Sequence, residues 1–238
     1  LMRDRFGVKP LFYGESTHGL AFGSEIKAVL TAGGIDTTLD DQSLSEYLWY
    51  GNTHGDRTFY EGVRSLEPGH WLIIENGKRR LESWWRIEEW LEQPVLAHSQ
   101  EDAASQVREA LDQASARQLV ADVPIGIFLS GGVDSSSIAA SAVQNRTEPL
   151  NSYAAGFDFD HGVNELPKAA RVAQRLGLTH HELQVSGDDL ESVLTTLAQS
   201  HDEPFADAAN IPLYLMCRQL SGKIKVVLQG DGGDELFA

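Results

Sequence analysis

Hydrophobic and polar positions follow two rhythms along this chain. Before Trp90, short apolar runs at Leu11–Tyr13 and Leu20–Phe22 flank the turn-rich GESTHG, the pattern of a β-hairpin. SEIKAVLTAGG opens on serine, sets Ile26, Val29 and Leu30 on one helical face and ends in glycine, and a second helix is expected at Leu44–Trp49. EPGHWLIIENGKRRLESWW contains a Pro-Gly turn, an apolar run, an Asn-Gly turn and a second run, so this part predicts an α+β unit with antiparallel pairing. Periodicity lapses from Glu89 to Gln100, a stretch that contains Pro94 and reads as a linker.

Beyond the linker, strands alternate with helices. A helix pattern at Gln106–Leu119 leads to a strand at Ile125–Leu129 and a helix over Asp134–Gln144. The strand NSYAAGF, a helix Pro167–Leu176 closed by Gly177, the strand HHELQV, helices Asp188–Ala198 and Ile211–Leu220, and the strand KIKVVLQ follow. This alternation predicts an α/β domain on a parallel sheet with helices on both faces. The expected organisation is thus residues 1–88, a linker 89–100, and residues 101–238. Neither Leu1 nor Ala238 looks like a natural domain end, so the chain reads as a fragment.

The chemistry concentrates where the strand in PIGIFLSGGVDSS (Pro124–Ser136) runs into its helix. Ligands of open α/β sheets bind beyond the carboxyl ends of the strands. Gly131 and Gly132 let the backbone approach an anion, the helix start adds free N–H groups, and Ser130, Ser135 and Ser136 add hydroxyls. Asp134 beside a phosphate implies a bridging cation, and Mg²⁺ suits carboxylate plus phosphate oxygens. No lysine followed by Ser or Thr ends a glycine loop and no G-x-G-x-x-G follows a strand, which excludes the two commoner phosphate loops. A plain glycine turn capping a helix is the bland alternative. GDGGDE follows the apolar strand at Ile224–Leu228, so Asp231 and Asp234 would face the first loop if the two strands are neighbours.

Composition narrows the partners. Nineteen basic against thirty-five acidic residues give a net charge of −16, which argues against nucleic acid and anionic membranes. No apolar run approaches the roughly 18 residues of a membrane span and no signal peptide opens the chain, so a cytoplasmic setting is expected. The single cysteine, Cys217, lies in the apolar IPLYLMCRQL and reads as a buried core thiol. His180-His181-Glu182 puts neighbouring residues on opposite faces of a strand, a poor metal set. Trp84, Trp85 and Trp90 read as packing at the domain junction.

LSGGVDSS (Leu129–Ser136) resembles the SGGxDS pyrophosphate loop of the N-type ATP pyrophosphatases. Together with RDRFGVKPLFY (Arg3–Tyr13), FGSEIKAVL (Phe22–Leu30), HDEPFADAANIPLY and VVLQGDGGDELF (Val226–Phe237), it makes the whole chain resemble the glutamine-hydrolysing asparagine synthetase family. The resemblance implies a HUP-like parallel sheet preceded by the last part of an α+β, Ntn-type (class II) glutaminase domain. It implies ATP and Mg²⁺ as cofactors and aspartate, with glutamine or ammonia, as small-molecule substrates. Ser130, Gly131, Gly132, Asp134 and Ser135 would hold the phosphates, Leu129 and Ala155 would border the adenosine, and Gln229 and Gly230 would complete the site. Serine is frequent in the family where Gln229 stands. Asp134 and Asp234 would hold Mg²⁺, and Asp231 matches the acidic position linked to forming an aspartyl-adenylate.

The implied activity is that of a carbon–nitrogen ligase that amidates aspartate. HDEPFADAANIP would lie near the acceptor, although a plain loop between helices is an equal reading. The family's N-terminal cysteine nucleophile and its partners are absent from this chain, which is therefore expected not to hydrolyse glutamine by itself. A relative with another acceptor, such as a β-lactam-forming enzyme, and a non-catalytic ATP-binding protein are the rival readings. The oligomeric state is left open, a homodimer being one outcome.

Overall fold

The computed structural model describes every residue except 93, 95–98, 147, 158–163, 187–189, 208 and 238. The chain divides into two compact units, Leu1–Val95 with Thr195–Ala208, and Leu96–Leu194 with Ala209–Ala238. Several residues of the linker expected at 89–100, and the start expected for a helix at Asp188, lie outside the described residues.

In the first unit, β1 (Phe12–Ser16) and β2 (Gly19–Gly23) form the expected hairpin. The turn is tighter than the apolar runs suggest, because Glu15 and Ser16 remain in the ladder. β1 also pairs antiparallel with β3 (Val63–Ser65), too short to show a period in the sequence. Ile26 and Val29 of α1 (Ile26–Leu30) are buried with Val63 against Phe12, Ile35 and Tyr60. α2 (Asp41–Tyr50) starts earlier than expected because the Asp40 carboxylate caps it, accepting from Ser43 N at 2.8 Å. β4 (His70–Glu75) and β5 (Lys78–Ser83) meet at Asn76 and Gly77, whose φ values of 51° and 73° suit a two-residue hairpin turn. A short helix, α3, spans Glu88–Leu91.

Serine was expected to cap α1, but the capping position is Glu25 and no side chain of that segment bonds the helix start. The Asp202 carboxylate does so instead, accepting from Lys27 N at 3.1 Å while the Lys27 ammonium lies 3.0 Å from its other oxygen. The adjacent Glu203 carboxylate accepts from Phe59 N. Burial of Glu203 pushes its carboxyl up from the ordinary range.

The second unit opens with α4 (Gln100–Gln118), which begins six residues before the expected Gln106 because Ser99 caps it, its hydroxyl accepting from Asp102 N at 3.0 Å. Next come β6 (Ile125–Phe128), α5 (Val133–Gln144), β7 (Asn151–Phe157), α6 (Leu166–Leu176) and β8 (Thr179–Val185). α7 (Leu190–His201), α8 (Asn210–Leu220), β9 (Val226–Leu228) and the unexpected α9 (Gly233–Phe237) complete the chain. The four strands form one parallel sheet in the order β8-β7-β6-β9.

Alternation along the strands divides the core between the faces of this sheet. Ile127, Leu129 and Ala154 join Ala139 and Ala142 of α5 and Ala169 and Ala173 of α6, small residues that let both helices approach closely. Tyr153 and Phe128 instead meet Met216 and Leu220 of α8.

Cys217 corrects an expectation. Leu215, Met216 and Leu220 take the inward side of α8, which turns Cys217 outward and leaves it exposed. No helix among the described residues is long and apolar enough to cross a membrane.

Candidate functional site

The loop after β6 is folded by its own serines. The Leu129 backbone stays with the sheet, donating to Tyr153 O at 2.9 Å, and its side chain is 2% exposed in the core. The Ser130 and Ser135 hydroxyls are 2.9 Å apart, Ser130 N donates to Ser135 Oγ at 3.3 Å, and Gly132 N donates to Ser130 Oγ at 3.2 Å. This small ring closes the turn from strand to helix. Gly131 has φ of +79°, which favours glycine, and Gly132 occupies the capping position of α5 without a side-chain cap. The first intrahelical bond is Ser136 N to Gly132 O at 3.1 Å, so the amides of the first turn have no carbonyl of their own helix to donate to.

The second loop reaches the same place because β9 pairs parallel with β6, Ile125 opposite Val226 and Ile127 opposite Leu228. A Cβ on Gly230 would lie 2.7 Å from Ser135 N and 3.0 Å from Asp134 Cβ, and one on Gly233 would lie 2.5 Å from Asp134 Cγ. Two glycines thus admit the Asp134 side chain between the turns. That carboxylate forms no ion pair among the described residues. The Gln229 amide donates to the Asp231 carboxylate on an exposed turn, and Asp234 stands exposed in the first turn of α9. Ala155 lies on β7 two residues beyond Tyr153, opposite Leu183, towards the same edge.

The structure therefore brings together Ser130, Gly131, Gly132, Asp134 and Ser135 with Gly230 and Gly233, and sets Ala155 on the neighbouring strand. Gly233 was not singled out from the sequence, although the doubled glycine of GDGGDE is the signal that marks it. No group of three or more His, Cys, Asp or Glu side chains able to hold a metal occurs among the described residues. Two carboxylates with phosphate oxygens and water still form the hard oxygen set that Mg²⁺ takes.

Other candidate groups have structural partners. His180 Nδ1 and Ser152 Oγ are 2.9 Å apart, and His181 bonds Asn151 at 2.9 Å while stacking on Tyr153. Trp84 Nε1 donates to Arg3 O at 3.3 Å and Trp85 meets Phe6 edge-on, both within the first unit, whereas Trp90 is exposed. In HDEPFADAANIP, Asp202 caps α1 and Glu203 accepts from Phe59 N, as described above.

The second unit is a parallel α/β domain with an open glycine-rich turn and a helix terminus at one edge of its sheet. A family model described as asparagine synthase matches residues 106–238, and one described as glutamine amidotransferase domain matches residues 1–85. The chain belongs to the asparagine synthase family. A Mycobacterium tuberculosis protein assigned as a glutamine-hydrolysing asparagine synthetase is 33% identical over 99% of this chain and 36% of its own length. Asparagine synthetase (glutamine-hydrolysing) 3 of Bacillus subtilis is 30% identical over 99% of the chain and 40% of its own length. The amidase chyE of Penicillium rubens is 31% identical over 99% of the chain and 37% of its own length. The chain thus spans well under half the length of these relatives.

Proposed function

We propose that this chain carries the ATP-activating part of a glutamine-dependent asparagine synthetase. In the proposed reaction a side-chain carboxylate oxygen of aspartate attacks the α-phosphorus of ATP, and pyrophosphate leaves with the electrons of the broken P–O bond. Ammonia derived from glutamine then attacks the acyl carbon, AMP departs, and the nitrogen loses a proton. The observation that carries this reading is the packing of Gly230 and Gly233 on Asp134, which sets two glycine turns around one place beyond the sheet edge.

Each residue has a task suited to its position. The loop amides and the hydroxyls of Ser130 and Ser135 hold phosphate oxygens and favour charge that builds on the departing pyrophosphate. Leu129 borders the adenosine through its backbone, because its side chain is committed to the core. Ala155, Gln229 and Gly230 complete the nucleotide site. Asp134 and Asp234 are the carboxylates that fit Mg²⁺, which when bound offsets phosphate charge. Asp231, oriented by the Gln229 amide, occupies the acidic position associated with adenylate formation. The reading assigns the second unit to the HUP-like fold and residues 1–88 to an Ntn-type glutaminase domain.

The Penicillium relative, named an amidase, favours a second reading in which the same ATP site serves another acceptor. Exchange of labelled pyrophosphate into ATP separates the two. Exchange that requires aspartate and is lost in Asp134→Asn is the expected result. ATP binding without aspartate-dependent exchange overturns the asparagine assignment and leaves the second reading.

A further inference from the structure

We infer that Lys168, on the helix after β7, supplies a cation to the phosphate site. This rests on the ATP reading above and adds a residue to it.

The two turns that face the site are short of positive charge. Ser130–Gln144 and Gln229–Phe237 contain no lysine or arginine, while Asp134, Asp231, Asp234 and Glu235 bring carboxylates. A nucleoside triphosphate carries more negative charge than one divalent cation offsets, so phosphate binding in this surround calls for an ammonium or guanidinium group within reach. Where the P-loop of other nucleotide enzymes places that lysine in the loop itself, this loop has none.

Lys168 begins where such a group is needed. Gly131 lies directly against the first turn of α6: a Cβ built on it would come within 2.7 Å of Lys168 Cβ and of the Lys168 carbonyl carbon. The lysine stem therefore starts in contact with the phosphate loop, and its side chain is exposed and long enough to swing over the loop. Its backbone N–H is already satisfied by Glu165 O at 3.0 Å. Its ammonium, by contrast, makes no ion pair among the described residues, unlike Lys27 and Arg146.

Its place on the helix is also electrostatically adverse. The first turn of α6 contains no acidic residue, the carboxylate of its own element being that of Glu165 at the capping position, and a cation there faces the positive end of the helix dipole. A phosphate beside Gly131 would reverse that sign for both the lysine and the helix.

Calorimetric titration of the purified protein with MgATP and, separately, with AMP tests the inference. Lys168→Ala is expected to weaken MgATP binding by about tenfold while leaving AMP binding within about twofold, and Lys168→Arg is expected to recover most of the loss. Because the side chain is exposed, the melting temperature of both variants should match that of the parent. Unchanged MgATP affinity in Lys168→Ala overturns the inference, as does an equal loss for ATP and AMP, which would indicate a structural role. If the unsubstituted protein binds no MgATP, the ATP reading itself fails and this inference falls with it.

Discussion

Gly233 is closed against Asp134: a methyl group on the glycine would lie 2.5 Å from the aspartate Cγ and 2.7 Å from Oδ1. The two residues stand in the first turns of α5 and α9, the helices that follow β6 and β9, and their contact follows from the parallel pairing of those two strands. Gly233→Ala must displace the carboxylate or the start of α9. It is expected to weaken MgATP binding by about tenfold, measured by calorimetry, with the sheet intact by circular dichroism.

Gly131→Ala meets two obstacles, a φ of +79° and the backbone of Lys168 at 2.7 Å. The conformation alone costs about 1–3 kcal/mol, and the clash adds to it. Urea denaturation should show a loss of at least this size, whereas Gly177→Ala, also at positive φ but with open space around it, should show the conformational part only.

Asp202 stabilises α1 from a distance, through a helix-start N–H and an ammonium on the same lysine. Asp202→Ala is expected to cost about 1 kcal/mol, the usual worth of a lost cap. Asp202→Asn keeps an oxygen for Lys27 N and should recover most of it. Equal losses in the two variants would show that the exposed ion pair, rather than the cap, carries the effect.

Glu203 gives a pH dependence of definite sign. Burial raises its folded carboxyl above the ordinary 4.5, so the folded state holds the proton more tightly than the unfolded chain. Its contribution to stability is present below pH 4.5 and is lost as pH rises through the raised value. Glu203→Gln keeps an acceptor for Phe59 N and removes the buried charge. The melting temperature of Glu203→Gln relative to the parent should therefore be higher at neutral pH, and the difference should close towards acid.

The sequence made the architecture of the second unit legible because strand and helix periods are local, and Asn76-Gly77 and Gly177 punctuated their elements where turn chemistry demands it. The start of α4 was hidden because Gln100–Ser105 offers no apolar face, and its cap at Ser99 stands in a stretch without period. β3 has three residues, too few to display alternation. Cys217 was misread because a residue in an apolar helix faces inward or outward according to what packs on it.

What the sequence determined by itself was the strand–turn–helix at Ser130–Ser136: two glycines, hydroxyls and a helix start act over a few residues, and their order along the chain is enough. Tertiary structure alone decided that the GDGGDE turn closes on Asp134, that Lys168 begins against Gly131, and that Asp202 caps a helix 175 residues earlier in the chain. These contacts depend on strand order and helix packing, which join residues that no local pattern relates.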